Sequence, residues 1–179
     1  MHSSITEARP VWLLDVDGVL NAAQPGWSQA PHHGDAYVEG IAYRLRWAPE
    51  LIARVRELQR RGVEVRWATT WVDHIAQVER LMSLPAAPTA FTAIDVTDHP
   101  AGIARKLAAA IDVVETEGRP LIWTDDDAVP ADGPERERLE AAGVPVLLMR
   151  PHSRHGLQPA DLAAIEEFLD EYLPVAPSA

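Results

Sequence analysis

The sequence predicts an α/β fold, a three-layer arrangement in which a parallel sheet is wrapped by helices on both faces. Three observations lead there. Short strand-like runs alternate with amphipathic helix-like segments along most of the 179 residues, the pattern of a parallel sheet with crossover helices. The strand-like runs are almost wholly apolar and rich in branched residues, as expected of strands covered on both sides. Three of these runs end in carboxylates or hydroxyls, and in open α/β sheets ligands sit just beyond the carboxyl ends of the strands.

Taken in order, residues 1–10 and Pro174 to Ala179 lack periodicity and read as tails, which leaves 11–173 as a single domain. The first strand is predicted at Val11–Asp15. A Gly/Pro/His-containing stretch follows, and the Tyr43-Arg44-Leu45-Arg46-Trp47 alternation within Ala36–Trp47 predicts a small hairpin, so that 21–47 forms a flap region. Pro49 suits a first helical turn, and Glu50–Arg61 carries apolar residues at Leu51, Ile52, Val55 and Leu58 before Gly62. Val63–Ala68 reads as a strand, Val72–Met82 as a helix and Phe91–Ile94 as a weak strand. Ala101–Glu117 reads as a helix stopped by Gly118 and Pro120, followed by a strand at Leu121–Thr124. A helix at Pro134–Ala142, a strand at Val144–Met149 and an amphipathic helix at Pro159–Leu173 complete the chain.

Composition narrows the function classes. With 16 basic and 27 acidic residues the net charge is −11, which argues against extended, nonspecific nucleic-acid binding through a broad basic face. The absence of cysteine removes disulfides, thiolate chemistry and cysteine-ligated zinc. No apolar run approaches a membrane span, and residues 1–10 hold no signal-like apolar core. A cytoplasmic location without membrane partners is the expectation.

The chemistry-bearing residues sit at the strand ends. Asp15 and Asp17 are one residue apart and are followed by Gly18. Strand side chains alternate, so both carboxylates could face one cation, and unpaired burial of either would be costly. The second strand runs into Thr69 and Thr70, and the Leu121–Thr124 strand meets Asp125, Asp126 and Asp127. Lys106, the single lysine of the chain, lies on the helix before that acidic strand end. Each piece alone has an ordinary structural explanation; the order of all of them is more specific.

That order resembles the haloacid dehalogenase-like (HAD) superfamily, whose members are mostly phosphatases and phosphotransferases on a Rossmann-like sheet. The first motif matches as Asp15-Val16-Asp17-Gly18-Val19-Leu20, the second as Trp67-Ala68-Thr69, the third as Lys106 and the fourth as Ile122-Trp123-Thr124-Asp125-Asp126. The resemblance implies a Mg²⁺-dependent phosphatase. Asp15 would be the nucleophile that forms an aspartyl-phosphate, and Asp17 the acid that protonates the leaving alcohol and then activates water. Thr69, or less favourably Thr70, would donate to the phosphoryl oxygens. Lys106 would neutralise their charge, and Asp15, Asp125, Asp126 and the Asp17 backbone carbonyl would hold the metal. Asp127 is left as a supporting or capping residue. The presence of Asp17 favours phosphoryl transfer over dehalogenation, where no leaving group needs a proton.

Neither interval between motifs has room for a substantial cap, so the resemblance implies an open site for a phosphorylated small molecule, a phosphoprotein or a nucleic-acid end. Arg44 and Arg46, with the aromatic residues of the 27–47 segment, are candidate substrate contacts, although packing of the aromatics on the core is the simpler reading. His152 and His155 lie beyond the last strand and are weak evidence for zinc. The Trp-Ala-Thr-Thr-Trp and Trp-Thr-Asp-Asp-Asp phrasing is similar to a compact subgroup that includes domains associated with RNA end repair. The competing class is non-enzymatic, either a phospho-acceptor module or a silent HAD-like binding domain. Receiver modules place their acidic pair first and their lysine last, unlike Asp125 after Lys106 here.

Overall fold

The computed structural model describes residues 9–92 and 98–173. Along the chain, β1 (Val11–Leu14) leads to a hairpin of β2 (His32–Val38) and β3 (Ile41–Trp47). Then come α1 (Pro49–Arg60), β4 (Glu64–Trp67), α2 (Ile75–Met82) and α3 (His99–Ile111). β5 (Leu121–Thr124), α4 (Pro134–Glu140), β6 (Val146–Met149) and α5 (Pro159–Asp170) follow. β4, β1, β5 and β6 form, in that order, one wholly parallel sheet. The α/β class expected from the alternation holds, and no cap domain is present among the described residues.

Period-two alternation divides the sheet into two faces. Trp12, Leu14, Val65, Trp67 and Ile122 belong to one core with Leu51, Ile52 and Val55 of α1, Val78 and Met82 of α2, and Leu162, Ile165 and Leu169 of α5. Val11, Leu13, Leu121 and Trp123 belong to the other, with Ala110 of α3 and Leu139 of α4. Both faces of the sheet are therefore buried, which is why these strands read as unbroken apolar runs.

β2 and β3 pair antiparallel from His32↔Trp47 to Val38↔Ile41, so the hairpin begins four residues before the expected Ala36. Glu39 and Gly40 both have positive φ, 50° and 81°, the pattern of a two-residue turn matched to strand twist. Leu45 and Trp47 anchor the hairpin in the first core, while Tyr37, Ile41 and Tyr43 stand exposed.

Three expectations need correction. The strand expected at Phe91–Ile94 is absent at Phe91 and Thr92, and Ala93 and Ile94 lie outside the described residues. Instead Thr89 forms an isolated parallel bridge to Trp67, closed by Trp67 N–H to Pro88 O and Ala90 N–H to Trp67 O, both 2.9 Å. Pro88 has no N–H to extend that ladder. The helix expected from Ala101 starts at His99, because Asp98 caps it by accepting from Ala101 N–H at 3.0 Å and Pro100 fits its first turn. It closes in a wider π-type turn, Asp112–Thr116. The helix expected over Val72–Met82 opens as a 3₁₀ turn, Val72–His74, before α2. The expected tails lie outside the described residues except for Arg9 and Pro10.

Candidate active site

The carboxyl ends of β1 and β5 deliver Asp15 and Asp125 side by side, because Leu14 and Thr124 are register partners. Lys106 reaches them from α3. Its Nζ donates to Asp15 Oδ2 and to Asp125 Oδ2, both at 2.6 Å. All three groups are removed from solvent, with Asp15 5%, Lys106 7% and Asp125 0% exposed. The remaining carboxylate oxygens are held by backbone: Val16 N–H on Asp15 Oδ1 at 2.7 Å, and Asp127 and Ala128 N–H on Asp125 Oδ1 at 3.0 and 2.7 Å. Both carboxylates thus have fixed orientations before any ligand arrives.

Asp126 completes an acidic trio whose ligand oxygens lie within 4.8 Å of one another. It enters because Gly18 makes room: a Cβ at Gly18, where φ is +69°, would stand 2.3 Å from Asp126 Cγ. The DxDG glycine is therefore required twice, for its left-handed backbone and for the close approach. Three carboxylates face one ammonium, which leaves two negative charges unmatched. Burial, and then the neighbouring Asp125, pushes the Asp15 carboxyl well above its ordinary value. The same two causes, in the same order, raise Asp126. Although burial opposes it, Asp15 and Asp125 together hold Lys106 above the usual lysine value. Hard oxygen donors with a surplus of two negative charges fit a divalent cation, and the trio is able to hold one.

A cavity of about 350 Å³ opens above the trio, lined by Asp15, Asp17, Thr70, Lys106 and Asp126. Thr69, unlike Thr70, is fully buried and does not line this cavity. Its Oγ accepts from Trp71 N–H at 3.4 Å, which leaves the hydroxyl proton to donate. Arg44 and Arg46 do not reach the trio. They line an adjoining cleft of about 560 Å³ together with Asp17 and His33. Arg44 pairs with Asp35 through Nε at 2.7 Å and Nη2 at 3.2 Å, and Arg46 Nη1 donates to Ala23 O at 3.0 Å. A third cleft of about 340 Å³ runs from Asp17 and Thr70 past Tyr43, Trp71 and His74. Asp17 is common to all three spaces.

A family model described as the HAD domain in Swiss Army Knife RNA repair proteins matches residues 11–162. The chain belongs to this family. Membership carries hydrolase chemistry of the phosphoryl-transfer type, in keeping with the buried acidic trio. No curated protein and no solved structure matches the chain.

In this HAD domain several residues sit differently from their sequence reading. Asp17 keeps its carboxylate out of the trio, with Oδ1 accepting from Asn21 Nδ2 at 2.6 Å and Oδ2 from Trp71 Nε1 at 2.8 Å. Asp127 sits at the cavity edge and pairs with His99 Nε2 at 2.9 Å, while Asp125 takes the N–H groups of the turn. His155 Nδ1 lies 2.9 Å from Gln24 O, and His152 Nδ1 accepts from Arg154 N–H at 3.2 Å. His155 thus ties the 150s loop to the segment after β1, while the His152 contact stays within that loop. Trp27 Nε1 donates to Leu157 O at 2.8 Å, also a structural tie. The HAD domain has no helix long and apolar enough to cross a membrane among its described residues. Asn21 and His99 had no place in the sequence reading. Asn21 stands four residues after Asp17, a spacing that hints at contact only once the intervening turn is known.

Proposed function

We propose that the protein is a Mg²⁺-dependent phosphatase that hydrolyses phosphate monoesters at RNA ends through an aspartyl-phosphate on Asp15. The single observation behind this reading is the convergence on Lys106: one buried ammonium on two buried carboxylates from different strands, with a third carboxylate alongside. A purely structural ion pair would be balanced, whereas this one is short of positive charge.

In the proposed reaction Asp15 Oδ attacks phosphorus while the leaving oxygen takes a proton from Asp17. A water then gives up its proton to Asp17 and attacks the acyl phosphate, which frees phosphate and restores Asp15. Asp15, Asp125, Asp126 and the Asp17 carbonyl would hold Mg²⁺, which supplies positive charge to the transferring phosphoryl oxygens. Lys106 balances the charge that remains and fixes Asp15. Thr69 donates its free proton to a phosphoryl oxygen, and Thr70 meets substrate at the cavity wall. The RNA-end reading is supported by the family description, by an open site, and by Arg44 and Arg46 in one cleft beside Asp17 with Tyr43 and Trp71 in the other. Such residues suit a neighbouring backbone phosphate and an unstacked base. Local recognition of an end is compatible with a net charge of −11; coating of a duplex is not. A cytoplasmic location is part of the same proposal.

The test is phosphate release with Mg²⁺ from 3′- and 5′-phosphorylated oligoribonucleotides, set against sugar phosphates, mononucleotides and phosphopeptides. Turnover is expected with the oligoribonucleotides and is expected to fall by about 10³-fold or more in Asp15→Asn, with Thr69→Val costing more than Thr70→Val. Undiminished turnover in Asp15→Asn would refute the nucleophile, and preference for small esters or phosphopeptides would refute the substrate class.

A further inference from the structure

Asp17 is held from two sides, and both sides lead to β3. Asn21 Nδ2 donates to Asp17 Oδ1 at 2.6 Å while Asn21 Oδ1 accepts from the Arg46 backbone N–H at 2.8 Å. This pairing settles the amide orientation, since a carboxylate needs the NH₂ and a backbone N–H needs the carbonyl. On the other side Trp71 Nε1–H donates to Asp17 Oδ2 at 2.8 Å, and the Trp71 ring meets the Tyr43 ring edge-on, with centroids 5.9 Å apart at 89°. Trp71 is only 7% exposed, whereas Asp17 itself is exposed. An exposed aspartate left to itself would spread over several rotamers; two donors on opposite oxygens select one.

We infer that Asn21 and Trp71 are positioning residues that clamp the Asp17 carboxylate to the β2–β3 hairpin and so aim the acid/base at the leaving-group oxygen. The inference rests on the acid/base reading of Asp17 above. It gives the hairpin a task beyond framing the site: β3 supplies both the Arg46 N–H and the Tyr43 ring that hold the two donors. General acid catalysis contributes about 10²–10⁴-fold, and only where the leaving group needs its proton. A misaimed Asp17 should therefore slow alkyl esters far more than esters of a stable phenolate. A tryptophan that merely packed would slow both alike.

The experiment compares wild type, W71F, N21A, D17A and the D17A/W71F double variant with Mg²⁺ on glycerol 2-phosphate and on 4-nitrophenyl phosphate. W71F keeps most of the ring packing and removes the donor, so it serves even where N21A fails to fold. W71F should lose about tenfold or more in kcat on the alkyl ester and less than about threefold on the aryl ester. The double variant should be no slower than D17A, because Trp71 acts through Asp17. Equal losses on the two esters in W71F, or additive losses in the double variant, would overturn the clamp while leaving Asp17 as the acid. Equal losses in D17A would overturn the acid role and the clamp with it. Where wild type turns over neither ester, the indole N–H resonance that disappears in W71F decides. Loss of its exchange protection in D17A supports the clamp, and unchanged protection overturns it.

Discussion

Two charge clusters lie at opposite edges of the one parallel sheet. At the amino ends, Glu64 and Arg66 of β4 meet Glu117 and Arg119 from the segment before β5. Their contacts run from 2.5 to 3.1 Å, and the side chains are 16–36% exposed. At the carboxyl ends, Asp15, Asp125 and Lys106 make contacts as short, at 2.6 Å, with side chains 9% exposed or less. The first cluster has two acids for two bases. The second, with Asp126, has three acids for one. Arg66 pulls Glu117 below its ordinary value, and Arg119 and Arg66 lower Glu64 against the opposing effect of its burial. At the other edge Asp15 and Asp126 are raised. Similar distances thus accompany opposite balances: the amino-end network matches its charges, whereas the more deeply buried carboxyl-end cluster has acids to spare and is able to hold a cation.

The sharpest way to break this contrast is to remove one base from each cluster. Lys106→Met leaves two buried carboxylates without their ammonium and should cost about 3–5 kcal/mol in denaturant unfolding at neutral pH. Arg66→Met should cost about 1 kcal/mol. Equal losses would mean that burial does not separate the two clusters. Magnesium provides the next largest effect. At a hundred times its Kd it should stabilise the folded chain by about 2.7 kcal/mol, and most of that shift should vanish in Asp126→Asn but persist in Glu64→Gln. A thermal melt indifferent to magnesium and chelator would remove the cation from the site. The smallest effect concerns acid. Glu117 titrates lower in the folded chain than its ordinary value of 4.5, so its contribution is complete above that pH and is lost as pH falls through the lowered value. Glu117→Gln should therefore flatten the acid limb of the melting curve by about 1 kcal/mol or less; an unchanged limb would assign the acid sensitivity elsewhere.

The layer structure was legible because strands covered on both faces leave a plain signature, and β1, β4, β5 and β6 all fall within two residues of their expected bounds. The helices with clear apolar spacing, α1 and α5, were legible too. The Phe91–Ile94 expectation failed at its described residues, Phe91 and Thr92, because among the described residues the bridge to Trp67 is made by Thr89 instead. The start of α3 was missed although Asp98 and Pro100 both signalled it. At the site, the trio could be listed in advance, yet its members come from two strand ends joined only by sheet register. The Asp17 partners were harder still: Trp71 is 54 residues away, and its place in the first core accounts for it without any contact to Asp17.

By itself the sequence determined the α/β class, the order of the acidic strand ends and the glycine that follows Asp17. Those features are local, set by side-chain period and backbone sterics within a few residues. Only the tertiary structure decided that Lys106 bridges Asp15 and Asp125 and that Asp17 turns from them toward Asn21 and Trp71. It also decided that Arg44 and Arg46 face a separate cleft. Such pairings join residues as much as 91 apart and depend on how two cores seat their helices against the sheet, which no local rule contains.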